Sequence, residues 1–342
     1  MGILNVNLKE KSYKIIIKNG IIKDVGQYIS ANKVAIITDE NVNRHYGDRV
    51  ASSIKGDVKK LVLPAGEETK SLDKLSLVYD FLLSFKITRS DLVVALGGGV
   101  IGDLAGFAAA TVLRGIGFIQ IPTSLLAQVD SSVGGKVAVN SPHGKNLIGA
   151  FYQPRLVLID PLCLQTLDKR FFSDGMAEII KYGCIKDERL FAMLEKENID
   201  DKIGKIIERC CDIKRKIVEK DEFDTGERMA LNFGHTIGHA VENYYRYEKY
   251  THGEAVAIGM YNICLEGEKL AITPQGTAER VKNLLKKYSL PYALDIDVNQ
   301  LKNIISLDKK SENDNINLIL LNKLGEAIIK KMPKGELFTK GV

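Results

Sequence analysis

The stretch Leu92-Val93-Val94-Ala95-Leu96-Gly97-Gly98-Gly99-Val100-Ile101-Gly102-Asp103 constrains this chain more than any other. Its five leading apolar residues predict a strand buried on both faces. Three glycines follow, and the alanine- and leucine-rich run Leu104 to Leu113 predicts a helix. Strand, glycine turn and helix form the layout that cradles a diphosphate. Glycine lets the backbone approach, and the helix N-terminus presents free N–H groups at the positive end of its dipole. Gly97, Gly99 and Gly102 also satisfy the spacing G-x-G-x-x-G. A usual dinucleotide fold carries this turn after its first strand, with an acidic residue about 20 positions on. Here the turn comes late in the sheet, and Gly117 to Ile121 contains no acid. Taken alone, these letters also fit a tight turn in any α/β domain.

The flanking segments supply the rest of a sheet. Residues 4–17 alternate and predict a hairpin, and Val34 to Thr38 predicts a short buried strand ending at Asp39. A carboxylate in that place can bind a ribose hydroxyl, or simply cap a helix. Leu61 to Leu63 predicts a strand that runs into the polar loop Pro64 to Lys70, ahead of a helix from Leu72 to Phe85. Phe118 to Ile121, followed by Pro122-Thr123-Ser124, and Leu156 to Ile159 predict two more strands. Strands alternating with helices indicate a parallel sheet covered on both faces. The segments Asp130 to Lys136 and His143 to Asn146 are polar and glycine-rich. Lysines among glycines and hydroxyls suit a phosphate site, or a solvated loop.

Beyond Pro161 helical periodicity dominates, over residues 173–186, 199–220, 227–247, 252–270 and 276–288. A late hairpin is expected around Gly325. The chain therefore divides into an α/β domain over 1–160 and a mostly helical domain over 161–342. At 342 residues there is core enough for both. A net charge of +5 with no aromatic-interleaved basic block argues against nucleic acid and suits a small anionic substrate. No apolar run is long enough to span a membrane. There is no signal-peptide core, and Val6 breaks the myristoylation pattern after Met1-Gly2. Five cysteines without C-x-x-C point to a reduced, cytoplasmic protein.

Three of the five histidines fall within eighteen residues, at His235, His239 and His252. With apolar helix faces beside them, they point to a metal site. On a helix His235 and His239 are i and i+4, on one face, which makes them the first choice of ligand pair. A carboxylate should complete the set and leave a position open. Glu178 is the candidate, because it interrupts the apolar run Met176 to Ile180, with Lys181 and Tyr182 extending a polar stripe.

The chain closely resembles the 3-dehydroquinate synthases. The motifs that carry the resemblance are Gly66-Glu67 with Lys70, the Gly97–Asp103 turn with Leu104-Ala105-Gly106, Pro122 to Lys136, and Gly144 to Phe151. Gly175 to Lys181, Leu231 to His239 and His252-Gly253-Glu254 continue the series, which runs in order from about residue 35 to 310. Ser124 departs from the second threonine of many members, though either hydroxyl can bond a phosphate. The resemblance implies a Rossmann-like NAD-binding α/β domain, then a mostly α-helical metal-binding domain, with the active site between them.

By the same resemblance the metal ligands are Glu178, His235 and His252, holding zinc or cobalt, while His239 moves to the substrate's phosphate. The NAD contacts are Asp39, the loop Ala65, Gly66, Glu67, Glu68, Thr69 and Lys70, and the turn Gly98, Gly99, Val100, Ile101, Gly102 and Asp103. Thr123, Ser124, Lys136, Lys145 and the segment Cys163, Leu164, Gln165 and Thr166 join them. The substrate contacts that the resemblance implies are Asp130, Lys136, Asn146, Lys181, Lys214, Arg228, Asn232, His239 and one of Lys309 and Lys310. Arg114 resembles a residue that reaches the phosphate bound by a neighbouring subunit, which implies a homodimer. The implied activity is that of a carbon–oxygen lyase acting on 3-deoxy-D-arabino-heptulosonate 7-phosphate in the shikimate pathway of aromatic amino acid synthesis. Transient NAD-dependent oxidation, phosphate elimination, reduction and an internal aldol closure would yield 3-dehydroquinate. The rival readings are another sugar-phosphate cyclase, such as a 2-deoxy-scyllo-inosose or valiolone-type synthase, a metal-dependent glycerol-type alcohol dehydrogenase, and an inactive NAD- or metal-binding protein.

Overall fold

Every residue of the central strand, Leu92–Gly97, is buried, and the first unit is built around it. The computed structural model describes residues 1–307 and 315–338. Two units are present: Met1–Asp168 with Lys202–Phe223, and Lys169–Asp201 with Asp224–Val342.

The first unit contains β1 (Gly2–Val6), β2 (Tyr13–Ile17), β3 (Lys33–Asp39), β4 (Asp57–Leu63), β5 (Leu92–Gly97) and β6 (Gly117–Pro122). After these come β7 (Lys136–Ser141), β8 (Gly144–Phe151) and β9 (Leu156–Ile159). Its sheet runs β1-β2-β9-β6-β5-β3-β4, parallel throughout except for the antiparallel β1–β2 pair. Side chains alternate between two cores, as strand geometry requires. Val34, Ile36, Val94 and Leu96 enter one, and Ala35, Ile37, Val93 and Ala95 the other. Helices α1 (Glu40–Val42), α2 (Asp48–Ser53), α3 (Leu72–Ser84) and α4 (Gly99–Thr111) belong to this unit.

Taken in chain order, the parallel strands β3, β4, β5, β6 and β9 lie in the order 2-1-3-4-5. The direction of winding reverses between β3 and β5, and ligands of open α/β sheets bind outside the carboxyl ends at such a switch point. The glycine turn follows β5, one of the two strands that flank this reversal. Helix α4 starts at Gly99, five residues before the expected start at Leu104, so Gly99 and Gly102 lie inside it. A Cβ on Gly102 would stand 2.7 Å from Gln120 Oε1, and one on Gly106 2.5 Å from Val137 Cγ1. Lacking side chains there, α4 lies close on β6 and β7. Of the two polar, glycine-rich segments over 130–136 and 143–146, Lys136 and residues 144–146 lie in the antiparallel hairpin β7–β8.

The second unit contains α5 (Lys169–Lys186), α6 (Glu188–Lys196), α8 (His235–Tyr244), α9 (His252–Lys269), α10 (Thr277–Lys287), α11 (Val298–Leu307) and the hairpin β10 (Asn315–Lys323)–β11 (Glu326–Pro333). Helix α7 (Ile203–Lys220) belongs to the first unit, unlike the sequence-based division at residue 160. Its apolar face carries Ile206, Ile207, Cys210, Cys211, Ile217 and Val218. Cys211 Sγ donates to Gln128 O at 3.2 Å, and Arg215 Nη1 to Asn5 O at 3.3 Å. Periodicity reports which face of a helix is buried but not what covers it. The expected helix over 227–247 is a 3-10 turn (Glu227–Asn232) followed by α8, broken at Gly234 with φ of 80°. Helices α6 and α11 were not among the expected segments.

Among the described residues, no helix is long and apolar enough to cross a membrane. All five cysteines are buried and none is in a disulfide. Burial pushes the Cys163 and Cys211 thiols up to about 12. Thiolate is the reactive form, so a thiol titration of native protein at mildly alkaline pH should find almost no reactive group and five after denaturation. Fast reaction of two or more native thiols would contradict this packing.

Helices α8 and α9 cross through glycine. A Cβ on Gly259 would fall 1.9 Å from Gly234 O, and one on Gly238 3.0 Å from Ala255 O. Gly259→Ala should therefore destabilise the protein by roughly 1–3 kcal/mol or more. Urea denaturation measures it, and an unchanged midpoint would show that the crossing is not tight.

Candidate active site

Helix α5 is buried from Asp174 to Ile185, and Glu178 in its middle is 1% exposed. Glu178 Oε1 lies 3.8 Å from His235 Nε2 and 4.0 Å from His252 Nε2. The three residues offer ligand atoms within 4.8 Å of one another. His235 Nδ1 stands 3.1 Å from Phe233 O. A proton on Nδ1 serves that carbonyl, leaving the Nε2 lone pair toward Glu178. Lys181, one turn along α5, pairs with Glu178 and is itself buried. A carboxylate this deep requires positive charge beside it. One carboxylate and two imidazoles form a donor set suited to zinc or cobalt.

Electrostatics separate the two histidines. Burial, then Lys181, His252 and His239, hold His235 well below the usual imidazole range, so it is neutral. Burial also pulls His252 down, but Glu242 and Glu178 outweigh it and raise the group to about 9. Glu242 Oε1 is 3.6 Å from His252 Nδ1.

The start of α9 is firmly held. Thr251 and Glu254 form a reciprocal capping box, and Arg170 grips both oxygens of Glu254 at 2.7 Å. Gly253 N donates to Asp174 Oδ1 at 2.5 Å. Burial raises the Asp174 carboxyl although Thr251, His252 and Gly253 oppose it. A Cβ on Gly253 would stand 2.1 Å from Asp174 O, which accounts for glycine after His252. Asp174 and Glu242 were given no role from sequence. The available signal was a carboxylate at the edge of an apolar helical run in each case.

The i, i+4 pair chosen from helical spacing is not the pair that faces Glu178. His239 is exposed, with its ring 5.4 Å from His235 and 6.1 Å from His252. It groups with Glu242 and His252 instead. Arg228 is 1% exposed in the turn before Asn232, which lies at the end of that turn and is half-buried. Lys309 and Lys310 lie outside the described residues.

In the first unit, strand register aligns the other candidates. Thr38 pairs with Leu96 and Gly97 with Pro122, so Asp39, Gly98 and Thr123 follow along one carboxyl edge at the switch point. Thr123 N donates to Gly97 O at 3.0 Å. Asp39 caps α1 through Val42 N at 3.0 Å, and burial raises its carboxyl against that bond. Gly98 is the N-cap of α4, with Val100 and Ile101 in the first turn. A Cβ on Gly98 would approach Ser124 Oγ to 3.3 Å.

Ala65 to Glu68 are exposed, with Gly66 at φ of 116°, whereas Thr69 and Lys70 are buried. The Lys70 ammonium pairs with Asp103 and donates to the Asn146 side chain. Burial raises Asp103, with Lys70 opposing. Asn140, which sequence reasoning passed over, ties this corner together. Its N donates to Lys70 O at 2.8 Å, its Nδ2 to Glu67 Oε1 at 2.7 Å, and its Oδ1 accepts from Asn146 N at 3.0 Å.

Lys136 is exposed at the start of β7 and Lys145 half-buried in β8. Lys214 Nζ reaches Asp130 Oδ1 at 2.9 Å and Asp130 O at 2.8 Å. Cys163 to Thr166 lie in the 3-10 turn Pro161–Thr166, in which Cys163 is buried, Leu164 half-buried and Gln165 exposed. Thr166 Oγ1 lies 2.6 Å from Tyr46 Oη. Arg114 is exposed in a turn after α4, at φ of 65°.

A switch-point sheet with a glycine-started helix and a helical unit with a Glu–His–His centre define a two-unit enzyme of the dinucleotide-and-metal class. Residues 60–174 match the 3-dehydroquinate synthase N-terminal family and residues 175–311 the 3-dehydroquinate synthase C-terminal family. The chain belongs to the 3-dehydroquinate synthase family. It is 56% identical over 339 residues to the 3-dehydroquinate synthase of Clostridium botulinum (strain Alaska E43 / Type E3), covering 96% of this chain and 97% of that one. Among solved structures, it is similar to 2-epi-5-epi-valiolone synthase from Streptomyces hygroscopicus subsp. jinggangensis 5008 with NAD+ and Zn2+ bound. That match has a TM-score of 0.88 and 25% identity over 97% and 96% of the two chains. The fold is also that of 2-deoxy-scyllo-inosose synthase complexed with carbaglucose-6-phosphate, NAD+ and Co2+, at a TM-score of 0.86 and 24% identity over 98% and 97%.

Proposed function

We infer that the chain converts 3-deoxy-D-arabino-heptulosonate 7-phosphate to 3-dehydroquinate and phosphate. The observation that carries this is a Glu178–His235–His252 group in a chain 56% identical to a 3-dehydroquinate synthase over nearly its whole length. Glu178, His235 and His252 would hold the divalent metal. The solved relatives carry Zn2+ or Co2+ together with NAD+. Asp39 would take a ribose hydroxyl. The N-terminus of α4 from Gly98 to Asp103, with Lys70 and Lys145, would take the diphosphate. Ala65 to Thr69, Thr123, Ser124 and Cys163 to Thr166 would frame the rest of the dinucleotide. When bound, NAD supplies reversible hydride exchange and the metal polarises hydroxyl oxygens.

The chain's own residues hold and orient an anionic substrate. In the sheet unit, Lys136 and Asn146 suit a phosphate, and Lys214, fixed by Asp130, a carboxylate. In the helical unit, buried Arg228 suits a carboxylate, with Asn232, His239 and Lys181 bonding further oxygens. Buried cations of this kind stabilise enolate or alkoxide charge without reorganising. We further propose a homodimer, in which exposed Arg114 reaches the phosphate held by the other subunit. We also propose a cytoplasmic location, where five buried thiols stay reduced.

Phosphate release and NADH absorbance, followed together with NAD held below substrate, test the function. Many phosphates per NAD, with no steady NADH rise, are expected. Stoichiometric NADH would return the chain to the dehydrogenases. A metal chelator should abolish phosphate release, and zinc or cobalt should restore it. Lys181→Ala or His239→Ala should slow phosphate release by about 10²-fold while leaving NAD affinity nearly unchanged. An equal loss of NAD affinity would place them at the cofactor.

A further inference from the structure

We propose that Glu242 is the positioning residue of the metal centre, taking the Nδ1–H of His252 so that Nε2 is the nitrogen presented beside Glu178. This rests on the reading of Glu178, His235 and His252 as metal ligands. An imidazole has two nitrogens, and the partner of one decides the role of the other. His235 is fixed in that way by Phe233 O at 3.1 Å. His252 starts α9 and is half-exposed, so packing alone does not orient its ring. On its Nδ1 side stands Glu242 Oε1 at 3.6 Å, an ion-pair distance. On its Nε2 side stands Glu178 Oε1 at 4.0 Å.

The position of Glu242 is not that of a solvated surface carboxylate. It is 4% exposed, beside Ala240 and Val241, which are equally buried. A carboxylate in such a place is unfavourable unless a specific group compensates it. It follows His235 by seven residues, two turns along α8 on the same face. One helix thus supplies a ligand and orients the ligand from its neighbour. A carboxylate on the far nitrogen also makes the ligating nitrogen more basic, and losing such a partner weakens metal affinity about 10–100-fold. The alternative is that Glu242, with His239 and His252, holds a second ion of its own.

The test is a competitive chelator titration with zinc on the full chain, comparing wild type, Glu242→Gln, Glu242→Leu, His235→Ala and His252→Ala. Metal content per chain, the cobalt absorption spectrum and the thermal midpoint of metal-free protein are measured alongside. Glutamine keeps an acceptor and loses the charge, whereas leucine loses both. Wild type should hold one ion, Glu242→Gln should bind it more weakly, and Glu242→Leu about 10–100-fold more weakly, with a shifted cobalt spectrum. Affinity within about twofold of wild type in Glu242→Leu, while both histidine variants lose the metal, would overturn the inference and leave the ligand set standing. A fall from two ions to one would overturn it in favour of the second site. Unweakened binding in His235→Ala and His252→Ala would overturn both readings. A lower thermal midpoint in metal-free protein with unchanged affinity would make Glu242 structural only and overturn the inference.

Discussion

A carboxylate 1% exposed in the middle of α5 sets the terms for the helical unit. Glu178 cannot remain ionised there without positive charge. Lys181 supplies some, one helical turn away. The imidazole nitrogens of His235 and His252 face the same oxygen, and an ion among these three, as proposed above, would complete the compensation. Much of the surrounding structure keeps those two rings in place. The glycine crossing of α8 and α9 brings two helix starts together, each carrying one histidine. The capping box, Arg170 and Asp174 fix the start of α9.

The sheet unit obeys a different constraint. Its strand winding reverses between β3 and β5, and the glycines of α4 serve close packing on β6 and β7. The hairpin β7–β8 adds Lys136, Lys145 and Asn146, and Asn140 ties it to the Lys70 loop. The cationic corner is thus assembled from segments far apart in the chain.

What could be read from sequence follows from which interactions are local. The strand Leu92–Gly97 and its glycine turn were legible because burial on both faces leaves an unbroken apolar run. Glu178 was legible because it breaks one. The hairpin was not, since β8 (Gly144–Phe151) is half-exposed and carries two glycines, with no clear alternation. Helix α7 is legible as a helix, but its packing with the sheet unit is not, because its partners lie about 80 to 210 residues away, at Gln128 and Asn5. Spacing along α8 suggested His235 with His239, yet the second nitrogen facing Glu178 comes from another helix. Asn140, Asp174 and Glu242 act through contacts between segments, which composition and periodicity do not record.

X-ray absorption at the zinc edge, on protein loaded with one equivalent, tests the metal centre most directly. Two imidazole nitrogens with carboxylate oxygen are expected around the ion, and the same spectrum after His239→Ala. Three imidazoles in the wild type, falling to two in His239→Ala, would contradict this ligand set.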